Sequence, residues 1–196
     1  MKQWRALDLF CGAGGATKGL QRAGFHVTGV DIAAQPHYCG DEFYQSDALA
    51  FPLFGFDFIW ASPVCKGWTK AKSIHGHKDR YPMDQISEVR DLVKLAGVPY
   101  AIENVVGAPL SNPFMLCGLM FGLRVLRHRH FESNFLVSKL THPRHFCVAG
   151  HNFLMNEARE AMGIDWMIQK ELSQAIPPAY AEFIGLQAMQ FMERAA

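Results

Sequence analysis

The sequence predicts an α/β protein, a mostly parallel sheet with helices on both faces. Three observations lead there. Short apolar runs alternate with segments of helical periodicity through the first two thirds of the chain. A glycine-rich turn, LDLFCGAGG, joins the first run to the first helical segment. An acid, Asp31, closes the second run about twenty residues further on.

The elements follow in order. Residues 6–10 read as a strand, residues 15–23 as a helix ended by Gly24, and residues 26–30 as a second strand. A short strand precedes Asp47, and residues 56–60, FDFIW, form the third clear strand. Over 84–96, Ile86, Val89, Leu92 and Val93 recur at helical spacing, and Gly97-Val98-Pro99 stops that helix. Residues 100–102 read as a further strand. Strands joined through helices pair in parallel, and right-handed crossovers put a ligand at their carboxyl ends. From 124 to about 153 the pattern turns hairpin-like and rich in Arg and His. A short helix is expected over 156–162. A last helix occupies 178–195, with proline suited to its first turn.

The 196 residues are enough for one core, so we expect a single domain over 1–196. With 49% apolar and 19% charged residues the chain reads as a folded globule, not a disordered one. A net charge of +1 gives no global case for nucleic acid or membrane, so any basic surface must be local. No apolar run has membrane length, and ALDLF is too short for a signal peptide. The five cysteines (Cys11, Cys39, Cys65, Cys117, Cys147) are odd in number and contain no Cys-x-x-Cys pair. That reads as a reducing cytoplasm without a disulfide framework.

Gly12, Gly14 and Gly15 permit a tight turn and close approach of a ligand to the backbone. Thr17 stands where a third glycine of Gly-x-Gly-x-x-Gly would be. The turn suits a dinucleotide or S-adenosylmethionine alike, with Asp31 on the ribose hydroxyls. Asp47 could accept from an adenine amino group or cap its own turn. Cys65 follows FDFIW, and Glu103 and Asn104 end the next strand, so a thiol and a carboxyl group converge on the ligand edge. Neighbouring cations lower a thiol's pKa, and a buried glutamic acid keeps its proton. Lys66, Lys70, Lys72, His75, His77, Lys78 and Arg80 follow the cysteine, interspersed with Gly67 and Gly76. Such a basic loop could grip phosphates and stabilise the thiolate, or simply face solvent. His142, His145, Cys147 and His151 could staple a short segment through zinc or contact phosphates or bases, and no metal site is assigned from them.

In this order the motifs resemble the cytosine carbon-5 DNA methyltransferases. FCGAGG at Phe10 to Gly15 is similar to the family's cofactor turn, SPVC to its Pro-Pro-Cys nucleophile loop, and ENV to its Glu-Asn-Val motif. Arg127 and Arg129 match its Arg-x-Arg pair, and SQAIPP its closing Gly-Asn-Ala-Val-Pro-Pro element. The chain departs from the pattern at Val64, Val125 and Gln174. It is compact, like small phage-encoded members, leaving only about 131–153 as a reduced target-recognition segment.

The resemblance implies a Rossmann-like, S-adenosylmethionine-dependent methyltransferase fold. Phe10, Gly12, Ala13, Gly14, Asp31, Ile32, Asp47, Ala48, Pro63, Gln174 and Ala175 would line the cofactor site. Lys66, Lys70, Lys72, Lys78 and Arg80 would meet DNA bearing a flipped-out cytosine. The implied chemistry has Cys65 attack carbon 6 while Glu103 holds ring nitrogen 3. Arg129 would hold the base carbonyl, and Arg127 the loop or a phosphate. A phage-encoded enzyme would work in its bacterial host's cytoplasm. Other readings are a cytosine-5 RNA methyltransferase, whose Cys-Phe-Thr signature is absent, a non-catalytic cofactor-binding DNA module, and a dinucleotide oxidoreductase.

Overall fold

A computed structural model describes residues 2–64, 85–144 and 155–195. The elements run β1 (Arg5–Leu9), α1 (Gly15–Ala23), β2 (His26–Asp31), β3 (Glu42–Gln45), β4 (Phe58–Ala61), α2 (Gln85–Leu95), β5 (Tyr100–Asn104), β6 (Phe114–Leu116), β7 (Arg129–Ser133), α3 (Met155–Met162), α4 (Gln169–Gln174) and α5 (Pro178–Ala195). The strands form one sheet in the order β3-β2-β1-β4-β5-β7-β6. β1 pairs in parallel with β2 and β4, β2 with β3, and β4 with β5. β7 alone runs against its neighbours, antiparallel to both β5 and β6.

Alternation along the strands separates two cores. Ala6, Phe58, Trp60, Ala101 and Phe131 pack on one face beneath α1 and α5. Leu7, Leu9, Ile59 and Ile102 point the other way, toward Ile86, Val89 and Val93 of α2. Strands buried on both faces read as the continuous apolar runs seen in the sequence. This is the expected mostly parallel, Rossmann-like sheet with helices on both faces.

Three details differ from the sequence reading. The first strand ends at Leu9 because Phe10 adopts φ 62°, which already begins the turn. The hairpin partner of β7 is the upstream β6, three residues preceded by Pro113 and too short to show a period. The short helix α4 had no signal of its own either. The first residues of the segment expected to read the target, 131–133, belong to β7. Phe131 is fully buried in the sheet, and Glu132 takes a forked ion pair from Arg90, with N–O distances of 2.8 and 2.9 Å.

α1 and α5 meet at glycine. A Cβ on Gly19 would lie 2.1 Å from the Pro178 carbonyl oxygen and 2.7 Å from the Glu182 nitrogen, both backbone atoms that cannot swing away. A Cβ on Gly185 would instead sit 3.1 Å from the Ala23 Cβ and the Leu20 side chain, contacts that a shift of a few tenths of an ångström relieves. Gly19→Ala should therefore force the helices apart and lower stability by roughly 2–3 kcal/mol. Gly185→Ala should cost clearly less. Urea midpoints of the two variants against the parent chain test this ranking.

Candidate active site

At the carboxyl edge of the sheet, Gly12 and Gly14 take φ of 51° and 89°, a left-handed path that favours glycine. The Gly12 N–H donates to Asp31 Oδ2 at 3.0 Å, and the Ala33 N–H donates to Oδ1 at 2.9 Å. The carboxylate at the end of β2 is thus fixed against the turn. Beside it Ile32 is 71% exposed, an unusual position for a large apolar side chain, while Ala48 is buried. Asp47 uses Oδ1 to accept the Leu49 N–H at 3.0 Å, so it does cap its own turn.

The far side of the turn is closed by the C-terminal segment. The Trp166 indole N–H donates to the Ala13 carbonyl at 2.8 Å. A Cβ on Gly15 would lie 2.7 Å from the Ile176 carbonyl oxygen and 3.4 Å from the Ala175 Cβ. This brings Ala175, with Gln174 next to it in the chain, to the turn. Thr17 has a role that the missing third glycine did not suggest. Its hydroxyl donates at 2.5 Å to Asp8, a fully buried carboxyl group at the end of β1.

Glu103 is the next-to-last residue of β5 and is buried. Arg129 reaches it across the antiparallel β5–β7 pair, Nε to Oε1 at 3.0 Å. Burial pushes the Glu103 carboxyl above its ordinary value, while the Arg129 and Arg127 charges and a hydrogen bond with Ser62 limit the rise. Arg127 donates from Nη2 to the Ser173 carbonyl at 2.6 Å, and its own carbonyl accepts the Tyr180 hydroxyl at 2.6 Å. Arg129 thus contacts Glu103 directly, while Arg127, tied to the closing segment, adds its positive charge from farther away.

The chain leaving β4 is held at several points. The Trp60 indole N–H donates to Ser62 Oγ at 2.9 Å, and the Ser62 N–H to the Leu9 carbonyl at 3.1 Å. Asn104 Nδ2 donates to the buried Pro63 carbonyl at 3.0 Å. The Val64 N–H donates to Gln85 Oε1 at 3.0 Å. Cys65, Lys66, Lys70, Lys72, Lys78 and Arg80 lie outside the described residues, as do His145, Cys147 and His151. The glycine turn, Asp31, Pro63, Glu103, Arg127, Arg129 and Ala175 thus share one edge. The anchoring by Gln85 and Asn104, and the Asp8–Thr17 pair, escaped the sequence reading. Such side-chain bonds between distant segments leave no periodic trace.

No protein-family model matches the chain, and no curated protein matches its sequence. Among solved structures it is similar to the Entamoeba histolytica methyltransferase EhMeth, at 12% identity and TM-score 0.65, over 98% of this chain and 99% of that one. The S. pombe Dnmt2 methyltransferase gives 12% identity and TM-score 0.64, over 97% and 99%. A protein assigned as a DNA modification methyltransferase encoded within an E. coli prophage gives 20% identity and TM-score 0.51. That match covers 66% of this chain but only 45% of the prophage protein. The likeness shows a shared methyltransferase-type fold.

Burial raises the Asp8 carboxyl from 3.8 to about 7, against the lowering effect of the Thr17 bond. Between those values the folded chain holds a proton that the unfolded chain has released. Asp8's contribution to stability is therefore full below about pH 4 and lost as pH rises toward 7. Asp8→Asn keeps a neutral group and should remove this slope, at most about 1.4 kcal/mol per pH unit. Denaturant midpoints measured from pH 4 to 8 read the difference. Parallel profiles for parent and variant would refute it.

Proposed function

We propose that the chain transfers a methyl group from S-adenosylmethionine to carbon 5 of cytosine in DNA through a covalent Cys65 adduct. The observation that carries this reading is the buried Glu103–Arg129 pair at 3.0 Å beside the anchored end of β4. That segment leads directly into Cys65. The fold shared with methyltransferases supports it, as does the order of the motifs.

The residues at the glycine turn fit the cofactor. Left-handed glycines bring backbone N–H groups to a ligand, the Asp31 carboxylate suits ribose hydroxyls, and exposed Ile32 offers an apolar face for an adenine ring. S-adenosylmethionine, when bound, supplies an electrophilic methyl group on a sulfonium. The chain's own groups prepare the acceptor. The Cys65 thiolate adds to carbon 6 of the base, and the carbon 5–carbon 6 π electrons become nucleophilic at carbon 5. Glu103 donates its proton toward ring nitrogen 3, which the charge built up by addition requires. Arg129, already on Glu103, presents its remaining N–H groups to the base carbonyl. Once carbon 5 has gained the methyl group, it loses its proton to solvent, and ring nitrogen 3 returns its proton to Glu103. The electrons of that C–H bond reform the double bond, and the Cys65 thiolate leaves.

Competing thiols are poor candidates. Burial pushes the Cys39 thiol up to about 11 and the Cys11 thiol higher still, so neither supplies thiolate at neutral pH. The target base must be flipped out of a duplex or already single-stranded. The lysines after Cys65 would hold phosphates and give a steep salt dependence. Among the described residues no helix is long and apolar enough to cross a membrane, and we assign the chain to the cytoplasm, that of a bacterial host if it is phage-encoded.

Fluorine at carbon 5 blocks the elimination step. The parent chain with S-adenosylmethionine and 5-fluorocytosine DNA should form a complex that survives denaturing electrophoresis. Cys65→Ser should form none, and Glu103→Gln should slow trapping by about 100-fold or more while still binding DNA. An adduct with Cys65→Ser, or none with the parent on DNA that it methylates, would overturn the mechanism. Trapping on transfer RNA instead of DNA would move the reading to the RNA enzyme.

Asp31→Ala should weaken S-adenosylhomocysteine binding at least tenfold by calorimetry, since it removes the ribose acceptor and the partner of the Gly12 N–H. Equal affinity in variant and parent would remove Asp31 from the cofactor site.

A further inference from the structure

Cys117, His128 and His142 come together at the far edge of the sheet, where the proposed reaction uses none of them. The pairing of β6 with β7 explains the first two. Leu116 lies opposite Arg129, so continuing the register one step past β6 sets Cys117 opposite His128. Side chains directly opposite on antiparallel strands stand about 5 Å apart at Cβ. After β7 the chain passes against α5, with Phe135 and Val137 buried in the core there and the Ser138 N–H on Gln187, and delivers His142 to the same point. One ligand atom from each residue lies within 4.8 Å of the other two.

We infer that Cys117, His128 and His142 form a zinc site that fastens the chain after β7 to the edge of the sheet. The two imidazole Nε2 atoms are 3.2 Å apart. Two nitrogens bound tetrahedrally to one zinc at 2.0–2.1 Å are separated by about 3.4 Å, so the rings stand near the spacing that a shared ion imposes. One thiolate and two imidazoles are the donor set that favours zinc over the harder divalent cations. Cys117 is fully buried and His128 and His142 are partly so, which keeps such a site largely dry. Among the described residues the cluster supplies three donors, leaving a fourth position for water or another ligand. This is not the grouping suggested by sequence proximity. Of those four residues His142 is the one among the described residues, and its partners in the cluster lie 25 and 14 positions upstream.

The site has a physical purpose. The chain from Asn134 to Arg144 makes one irregular pass against α5 and is too short for a core of its own. A metal at His142 closes that excursion against His128, the residue immediately before Arg129. The inference rests on donor chemistry and spacing, and not on the methyl-transfer reading.

The test uses the full chain, made with zinc in the medium and purified without chelator or polyhistidine tag. Elemental analysis should find about one zinc per chain. Exchange into cobalt(II) should give the intense visible bands of four-coordinate cobalt, with a thiolate charge-transfer band. Cys117→Ser should lose the charge-transfer band, and His142→Ala should lower zinc retention at least tenfold while circular dichroism still reports a folded chain. If a variant fails to fold, the parent decides. A parent without bound zinc, giving only six-coordinate cobalt, would overturn the inference. It would leave the two imidazoles simply sharing a proton. A parent whose charge-transfer band persists in Cys117→Ser would overturn the assignment of the sulfur ligand.

Discussion

β7 enters the sheet against the direction of every other strand, and its register decides which distant side chains meet. Its pairing puts Phe131 opposite Glu103 on one side and Phe114 on the other. From that register Arg129 reaches Glu103 diagonally, and Phe131 packs inward against Trp60 and Tyr180. A slip of one residue would turn Arg129 to the opposite face and point Phe131 away from its core. The register is held by a buried network. Glu132 receives Arg90 of α2 in a fork and the Ser111 N–H at 2.7 Å, and Arg90 also donates to the Pro109 carbonyl at 2.7 Å. Removing either partner would leave a buried charge unpaired, which is far costlier than losing an exposed ion pair.

The same logic places the parts of the proposed reaction on separate elements that cannot drift independently. β1 carries the glycine turn, β2 carries Asp31, β4 leads toward Cys65, β5 carries Glu103 next to its end and β7 begins with Arg129. Parallel strands bring the first four to one edge, and the reversed strand adds the arginine from its amino end. α5, held tightly to α1 through Gly19, fixes the segment that meets the turn at Gly15. Side chains on rigid strand ends are positioned more closely than side chains on free loops, which the alignment of nucleophile, acid and methyl donor demands.

How much of this was legible in the sequence depended on distance along the chain. The glycine turn, its helix and Asp31 span about twenty residues and show as local chemistry and period. Burial on both faces made β1, β4 and β5 continuous apolar runs. β6 and α4 are too short to carry a period. At Phe131 and Glu132 polar neighbours hid a strand that buries one phenylalanine and one paired acid. The bonds from Asn104 to Pro63 and from Arg127 to Ser173 join residues 41 and 46 positions apart, where sequence gives no pattern to follow. The histidine-rich stretch lies mostly outside the described residues. It suggested neighbours in sequence as co-ligands, and strand pairing sets Cys117 and His128, two residues distant in sequence, beside its one described member, His142.

The Glu103–Arg129 pair makes two demands that pull in opposite directions. A carboxyl group that donates to a ring nitrogen must carry a proton, whereas an adjacent guanidinium favours the ionised form. Burial settles the contest toward the higher value, because removing the carboxylate from water costs more than the two arginines return. A base entering this edge would displace further water and strengthen the same bias. It would also take over N–H groups that Arg129 now spends on its own neighbours, such as the His128 carbonyl. In the proposed reaction the arginine therefore has two successive partners. It restrains Glu103 while the site is open to water, and it meets the base carbonyl as charge builds on the ring. Lysine could supply the charge but not the planar set of donors that serves both partners at once.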